Sequence, residues 1–211
     1  MSTVKSILLL LSALSLWACS DYESTHSMAP IPINRAIRTY YSAREVRINT
    51  QNTQRFPLIY EISNSLYCAN PFYASEDLSG ECKEFVVVAS SYGEKGAPKI
   101  TYDFYKVPTT IVTNVSRLQL LAVAAPKDTV DVSSQARLSF PTAQDFIASN
   151  YQNRVVTTVE GSFKELTREQ LRWLPESQVT HCTLPRIRNK ELWLKTTFTD
   201  GHQSLTKVEL P

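Results

Sequence analysis

An alternation of apolar and polar residues after residue 45 restricts the fold of this chain most strongly. Val46 and Ile48 alternate with polar neighbours, residues 58–62 form a second apolar run, and residues 100–105 alternate again. Residues 85–89 form a continuous, largely β-branched run, which predicts a strand buried on both faces. Turn signals separate these runs at intervals of about 8 to 12 residues. The pattern predicts a mainly β fold, an antiparallel β-sandwich of the immunoglobulin-like type, with an α+β fold as the alternative.

The second half of the chain adds signals for two short helices and a terminal hairpin. Residues 142–151 predict a helix with Thr142 as its N-cap residue. Thr167 and Gln170 have the spacing of a capping box, which predicts a second helix that ends before Pro175. Asp200-Gly201 lies between two apolar runs, and such turns favour glycine because they require positive φ angles. We therefore expect the chain to end in a β-hairpin.

Residues 1–19 have the layout of an export signal. Lys5 precedes an apolar run at residues 7–17, which leads through Ala18 to Cys19. The run has about half of the ~20 apolar residues that a membrane-spanning helix needs. This segment resembles the lipobox signal of bacterial lipoproteins, in which a small residue precedes a cysteine that is acylated, palmitate included, and becomes the mature N-terminus. The resemblance implies that residues 1–18 are removed and that Cys19 carries the lipid; simple secretory cleavage nearby, with Cys19 left as a thiol, is the alternative.

The same resemblance divides the chain and assigns a compartment. Residues 19–36 are expected to be a lipidated N-terminus and flexible tether, because they are rich in Ser, Thr and Pro. Residues 37–211 are expected to form a single β-rich periplasmic domain, with a break near residues 126–134 as the alternative. Ser20 stands where an aspartate would retain an enteric lipoprotein in the inner membrane. The resemblance therefore implies a lipid anchor in the outer membrane, with the domain facing the periplasm.

Charge and motifs exclude several classes of function. The 22 basic and 20 acidic residues are almost balanced, which argues against nucleic acid as a partner. The sequence contains no zinc-binding Cys or His spacing, no nucleotide-binding glycine loop and no GxSxG nucleophile motif. His181 and Cys182 are adjacent, but neighbouring side chains on a strand point to opposite faces and cannot form a catalytic dyad. We therefore expect no catalytic residues, no metal and no small-molecule cofactor, and a protein that is not an enzyme.

The cysteines predict one disulfide in an oxidising compartment. Cys68 and Cys82 flank a loop that contains Asn70-Pro71 and Ser79-Gly80, turn-forming pairs that can bring the loop ends together. Closing a loop of this length stabilises a fold by about 3 kcal/mol in the chain-entropy model. Cys182 would remain as a buried free thiol, although its pairing with Cys68 or Cys82 stays open because spacing does not determine connectivity.

Aromatic residues near this loop are the predicted partner-binding residues. Tyr67, Phe72 and Tyr73 cluster around the loop and can supply rigid contact area, whereas Trp173 and Trp193 are expected in the core. The sequence thus predicts an envelope lipoprotein that acts as a protein-binding or structural accessory module of a secretion, pilus or conjugation machine. A periplasmic immunity or exclusion lipoprotein is the alternative, and an envelope hydrolase is the less favoured one.

Overall fold

Three β-sheets and three short α-helices make up the part of the chain that the structure describes. The computed structural model describes residues 35–51, 56–67, 80–96, 107–125, 128–153, 156–187 and 190–210. The helices, with a short 3-10 turn at Ser177–Val179, are α1 (Gly80–Ser91), α2 (Gln144–Ala148) and α3 (Arg168–Leu171). The strands are β1 (Thr39–Ile48), β2 (Leu58–Tyr67), β3 (Thr110–Val112), β4 (Val115–Ala125), β5 (Asp128–Asp131), β6 (Arg137–Thr142), β7 (Thr157–Ser162), β8 (His181–Thr183), β9 (Glu191–Phe198) and β10 (Gln203–Val208).

The sheets are mostly antiparallel. The first has the order β2-β1-β3, the second β10-β9-β4-β5 and the third β7-β6-β8. The pairing of β1 with β3 is parallel, and all other neighbours in these sheets are antiparallel. The prediction of a mainly β, sandwich-like fold is confirmed.

Alternating burial along the strands builds the core. In β9 the buried residues are Leu192, Leu194, Thr196 and Phe198, at every second position, so that one face of the sheet lies against the interior. β6 alternates in the same way, with Leu138 and Phe140 buried. The buried side chains of the sheets and helices belong to one hydrophobic cluster, and all described residues fall within one compact unit.

Two local signals in the second half have the structures that were predicted. β9 and β10 form a hairpin in which Gly201 has a φ of +86°, the conformation for which glycine is favoured. Helix α3 begins with the predicted capping box: the Gln170 N–H donates to Thr167 Oγ1 at 3.3 Å, and the Thr167 N–H donates to Gln170 Oε1 at 2.9 Å.

The prediction of a strand at residues 85–89 is wrong, because these residues lie in helix α1. Phe85, Ala89 and Tyr92 are buried and follow one another at spacings of four and three residues, whereas Val87 between them is 70% exposed. This is the period of a helix that buries one face. The consecutive valines hide that period in the sequence and favour a strand by propensity alone.

The assignment of Thr142 as a helix N-cap is also wrong. Thr142 is the last residue of β6 and pairs with Thr157 in β7. The residue that caps α2 is Ala143, which offers no side-chain acceptor. The Thr142 hydroxyl is buried without a hydrogen-bond partner among the described atoms. The Thr142 side chain therefore makes no capping hydrogen bond to the described atoms of α2.

Candidate interaction site at the edge of β10

Strand β10 has an edge that faces away from its neighbour β9 and is open in the sense that no described strand pairs with it. The Phe198 N–H donates to the carbonyl of His202 at 2.9 Å, and pairing continues from there without a register shift. Hydrogen-bonded pairs alternate in an antiparallel ladder, so residues 204, 206 and 208 direct their main-chain groups to β9. Gln203, Leu205 and Lys207 consequently direct their N–H and C=O groups away from it. β10 is the terminal strand of its sheet, and no described strand pairs with this edge.

An open groove of about 480 Å³ lies between β10 and the end of β1. The Thr206 hydroxyl donates to the carbonyl of Val46 at 2.9 Å, and the Thr50 hydroxyl donates to the carbonyl of Glu209. These side-chain bonds connect the two sides of the groove. Its lining is formed by Glu45, Arg47, Ile48, Asn49, Thr50, Gln51, Ile59, Leu205, Thr206, Lys207 and Glu209.

Two apolar side chains of the groove are exposed to solvent. Leu205 is 55% exposed and Ile59 is 40% exposed. A single exposed leucine is ordinary on a protein surface. Here, however, Leu205 lies on the outer face of β10 with the polar residues Gln203 and Lys207, and its outward main-chain groups, with which no described strand pairs, are next to the same groove. The combination provides both apolar contact area and main-chain hydrogen bonding.

Both cations of the groove form ion pairs. Arg47 Nε donates to Glu45, and this hydrogen bond raises the pKa of Arg47. Lys207 Nζ lies 2.5 Å from Glu191 Oε1 and lowers the pKa of that carboxyl below its usual range. The lining residues comprise two cations, Arg47 and Lys207, and two anions, Glu45 and Glu209, so the groove is neutral overall.

Of the residues predicted to bind a partner, only Tyr67 is described, and it is not among those that line this groove. Tyr67, the last residue of β2, is 53% exposed and pairs with Thr39 of β1. Phe72, Tyr73 and Cys68 lie outside the described residues, as does Cys19. Cys82 belongs to helix α1, but its side chain is outside the described part, and so is the predicted disulfide.

Sequence reasoning missed Leu205 and Ile59. The exposure of Leu205 could have been predicted, because it alternates with Ser204 and Thr206 and shares the polar face of the predicted hairpin with Gln203 and Lys207. Nothing comparable marks Ile59. Its position beside β10 depends on how β1 and β2 are placed against the second sheet.

Cys182 and Trp173 are buried as predicted, whereas Trp193, which was also expected in the core, is not. Cys182 is a buried free thiol whose pKa is raised by burial, and the neighbouring His181 is half-buried, in keeping with the alternation along β8. Trp173 is buried, as predicted. Trp193 is only half-buried, on the outer face of β9, and its Nε1–H donates to Glu191 Oε2 at 3.3 Å.

Neither a metal centre nor a membrane-crossing helix is found in the described residues. No three side chains of the His, Cys, Asp and Glu types converge there as a metal would require. None of the helices there is both long and apolar enough to cross a bilayer. Comparisons of the chain with protein-family models, with curated proteins and with solved structures find no match.

Proposed function

We propose that this protein is a lipid-anchored envelope lipoprotein that binds an extended segment of another envelope protein at the open edge of β10. The observation that carries the proposal is the row of outward main-chain groups at Gln203, Leu205 and Lys207, next to a groove with exposed apolar side chains. A strand added to such an edge gains affinity from main-chain hydrogen bonds and specificity from alternate side chains. Leu205 and Ile59 would contact those side chains.

The charge balance of the groove indicates the chemistry of the partner segment. Arg47 and Lys207 already form ion pairs with glutamates, so a strongly acidic segment would have to compete with Glu45 and Glu191 for them. A strongly basic segment would have to compete with Arg47 for Glu45, and the lining carries no net negative charge to attract it. We therefore expect a segment of low net charge with apolar residues at alternate positions.

The signal at residues 1–19 supports the anchor. The short apolar run that ends at Cys19 resembles a lipobox, and Ser20 resembles the sorting residue of outer-membrane lipoproteins. A domain held at the periplasmic face of the outer membrane and equipped to bind an extended segment suits an accessory role in a secretion, pilus or conjugation machine. This role uses the edge for binding and requires no catalysis.

The proposal is tested by a pair of charge substitutions in the full-length protein. Leu205→Lys places a charge at the edge of β10, and Val87→Lys places the same charge on the exposed face of α1. Both side chains are exposed, so each change should alter stability by less than about 1 kcal/mol. Crosslinking followed by purification from native membranes should recover the envelope partner with wild type and Val87→Lys but not with Leu205→Lys.

The outcomes separate the alternatives. Recovery of the same partner with all three proteins would contradict docking at β10, and recovery of no envelope partner with wild type would contradict the binding role. A secretion, pilus or conjugation component among the crosslinked proteins supports the accessory role. A toxin or phage protein would overturn that role in favour of immunity or exclusion.

A further inference from the structure

Glu94 is a buried carboxyl group in the turn that follows helix α1. Its side chain is 1% exposed. The turn contains two glycines with positive φ angles, Gly93 at +81° and Gly96 at +74°, which let the chain reverse at this point. The Glu94 N–H donates to the carbonyl of Ala89 at 3.1 Å and ties the turn to the end of the helix. The carboxyl group is therefore fixed in the interior.

This carboxyl group binds the segment that leads into the first strand. Oε1 accepts hydrogen bonds from the N–H groups of Ala36 at 2.7 Å and Ile37 at 3.0 Å. Oε2 accepts from the hydroxyl of Tyr40 at 3.4 Å, and Arg35 Nη1 donates to the main-chain carbonyl of Glu94 at 2.9 Å. Ala36 and Ile37 are themselves buried. Among the described residues, the hydrogen bonds of residues 35–37 thus all run to Glu94, while the side chains of Ala36 and Ile37 pack in the core.

Burial favours the protonated form of Glu94, whereas the neighbouring hydrogen-bond donors and Arg35 favour the ionised form. Among the described residues, the titratable and charged groups that face it are Arg35 before β1, Tyr40 in β1 and Tyr151 after α2; Lys95 is its chain neighbour, and Tyr92 packs against the Tyr40 ring. The Tyr92 hydroxyl donates to the Arg172 carbonyl at 2.9 Å, and the Tyr151 hydroxyl accepts from the Gly96 N–H at 3.1 Å. Burial raises the pKa of Glu94 to about 7, against the opposing effects of the Ile37 and Ala36 N–H groups, Arg35 and Tyr40.

We propose that Glu94 is a pH-sensitive hold on the segment that enters the domain, tighter at mildly acidic than at mildly alkaline pH. Detachment of residues 35–37 would expose the carboxyl group to water and lower its pKa towards the ordinary value of 4.5. The held form then binds its proton more strongly than the released form, so a rise in pH through this interval favours release, by at most about tenfold per pH unit. Release would lengthen the connection in front of β1 by about 10 Å.

Amide hydrogen exchange of the full-length protein between pH 5.5 and 8 tests the hold. After correction for the intrinsic exchange rate, the Ala36 and Ile37 amides of wild type should lose protection, by tenfold or more, as pH rises across this range. In Glu94→Gln the side-chain oxygen still accepts from both N–H groups but does not ionise, so their protection should stay constant. Protection in wild type that does not change with pH would overturn the proposal.

The Ser162 amide supplies an internal control. It donates to Glu165 Oε2 at 3.0 Å, but the pKa of this exposed carboxyl is lowered by its hydrogen bonds with Ser162, so Glu165 stays ionised throughout the range. Local opening of the Ser162–Glu165 contact leaves Glu94 buried, so the protection of Ser162 against this local exchange should be constant while that of Ala36 and Ile37 changes. An equal loss at all three amides would show that all of them exchange through unfolding of the whole domain and would overturn a local hold.

Discussion

Glu94 makes the stability of the domain depend on pH. Its pKa in the folded state, about 7, lies above the ordinary value of 4.5. Its stabilising contribution is therefore fully present below pH 4.5 and is lost as pH rises through about 7. We expect the free energy of unfolding of wild type, measured by urea denaturation, to fall by up to about 3 kcal/mol between pH 4.5 and 8 through this group.

The matched variant for this prediction is Glu94→Gln, which has nearly the same shape and no charge. Its free energy of unfolding should vary less with pH than that of wild type and should exceed the wild-type value at pH 8. A variant with the same pH dependence as wild type would show that Glu94 does not titrate between pH 4.5 and 8.

Cys182 should be chemically inert in the folded protein. Its side chain is fully buried, and burial raises the pKa of the thiol, whereas thiol reagents attack through the thiolate. We expect alkylation at residue 182, followed by mass spectrometry of the peptide that contains it, only when denaturant unfolds the domain. Rapid alkylation under native conditions would contradict the burial of this thiol.

At the scale of single elements, local signals predict structure where neighbouring residues determine it. The capping box at Thr167 and the Asp200-Gly201 turn could be predicted because each depends on a few adjacent residues. Helix α1 could not be predicted, because three consecutive valines favour a strand by propensity and only the packing shows which of them is exposed. Likewise, alternation assigns Leu205 to the outer face of β10, but the order of strands in the sheet decides that β10 is at the edge.

Proline substitutions test the open edge of β10 directly. Lys207 directs its N–H away from β9, so Lys207→Pro removes no hydrogen bond of the β9–β10 ladder. We expect it to lower the free energy of unfolding by about 1 kcal/mol or less relative to Lys207→Ala, a control that also removes the ion pair with Glu191. Thr206 directs its N–H to Leu194, so Thr206→Pro should cost about 3 kcal/mol or more. Urea denaturation measures both, and equal losses would contradict the assigned hydrogen-bonding direction.

At the scale of the whole molecule, the mainly β class followed from the spacing of apolar runs and turns. The groove could not be predicted in this way, because Ile59 and Leu205 are far apart in the chain and line the same groove only when the first and second sheets pack together. The hold on residues 35–37 is hidden for the same reason, since Glu94 is 57 residues away from Ile37. Contacts of this kind leave no periodic pattern in a single sequence.

The proposed lipid anchor predicts where the whole molecule resides. Cys19→Ser removes the thiol that the lipobox resemblance assigns to the lipid, so the variant should leave the membrane fraction while wild type stays in the outer-membrane fraction. Fractionation with immunoblotting measures this, with Ser20→Ala as the control that keeps the cysteine. A Cys19→Ser protein that is processed normally and remains in membranes would contradict the anchor.

Site-specific photocrosslinking along the edge of β10 tests the central claim most directly. A photoreactive amino acid is placed in turn at Gln203, Leu205 and Lys207, and as controls at Val87 and Val130, which are exposed on α1 and β5. In native membranes we expect the same envelope protein to be crosslinked from all three β10 positions and from neither control. Crosslinks of equal yield from the controls, or none from β10, would contradict the binding of an extended partner segment at this edge.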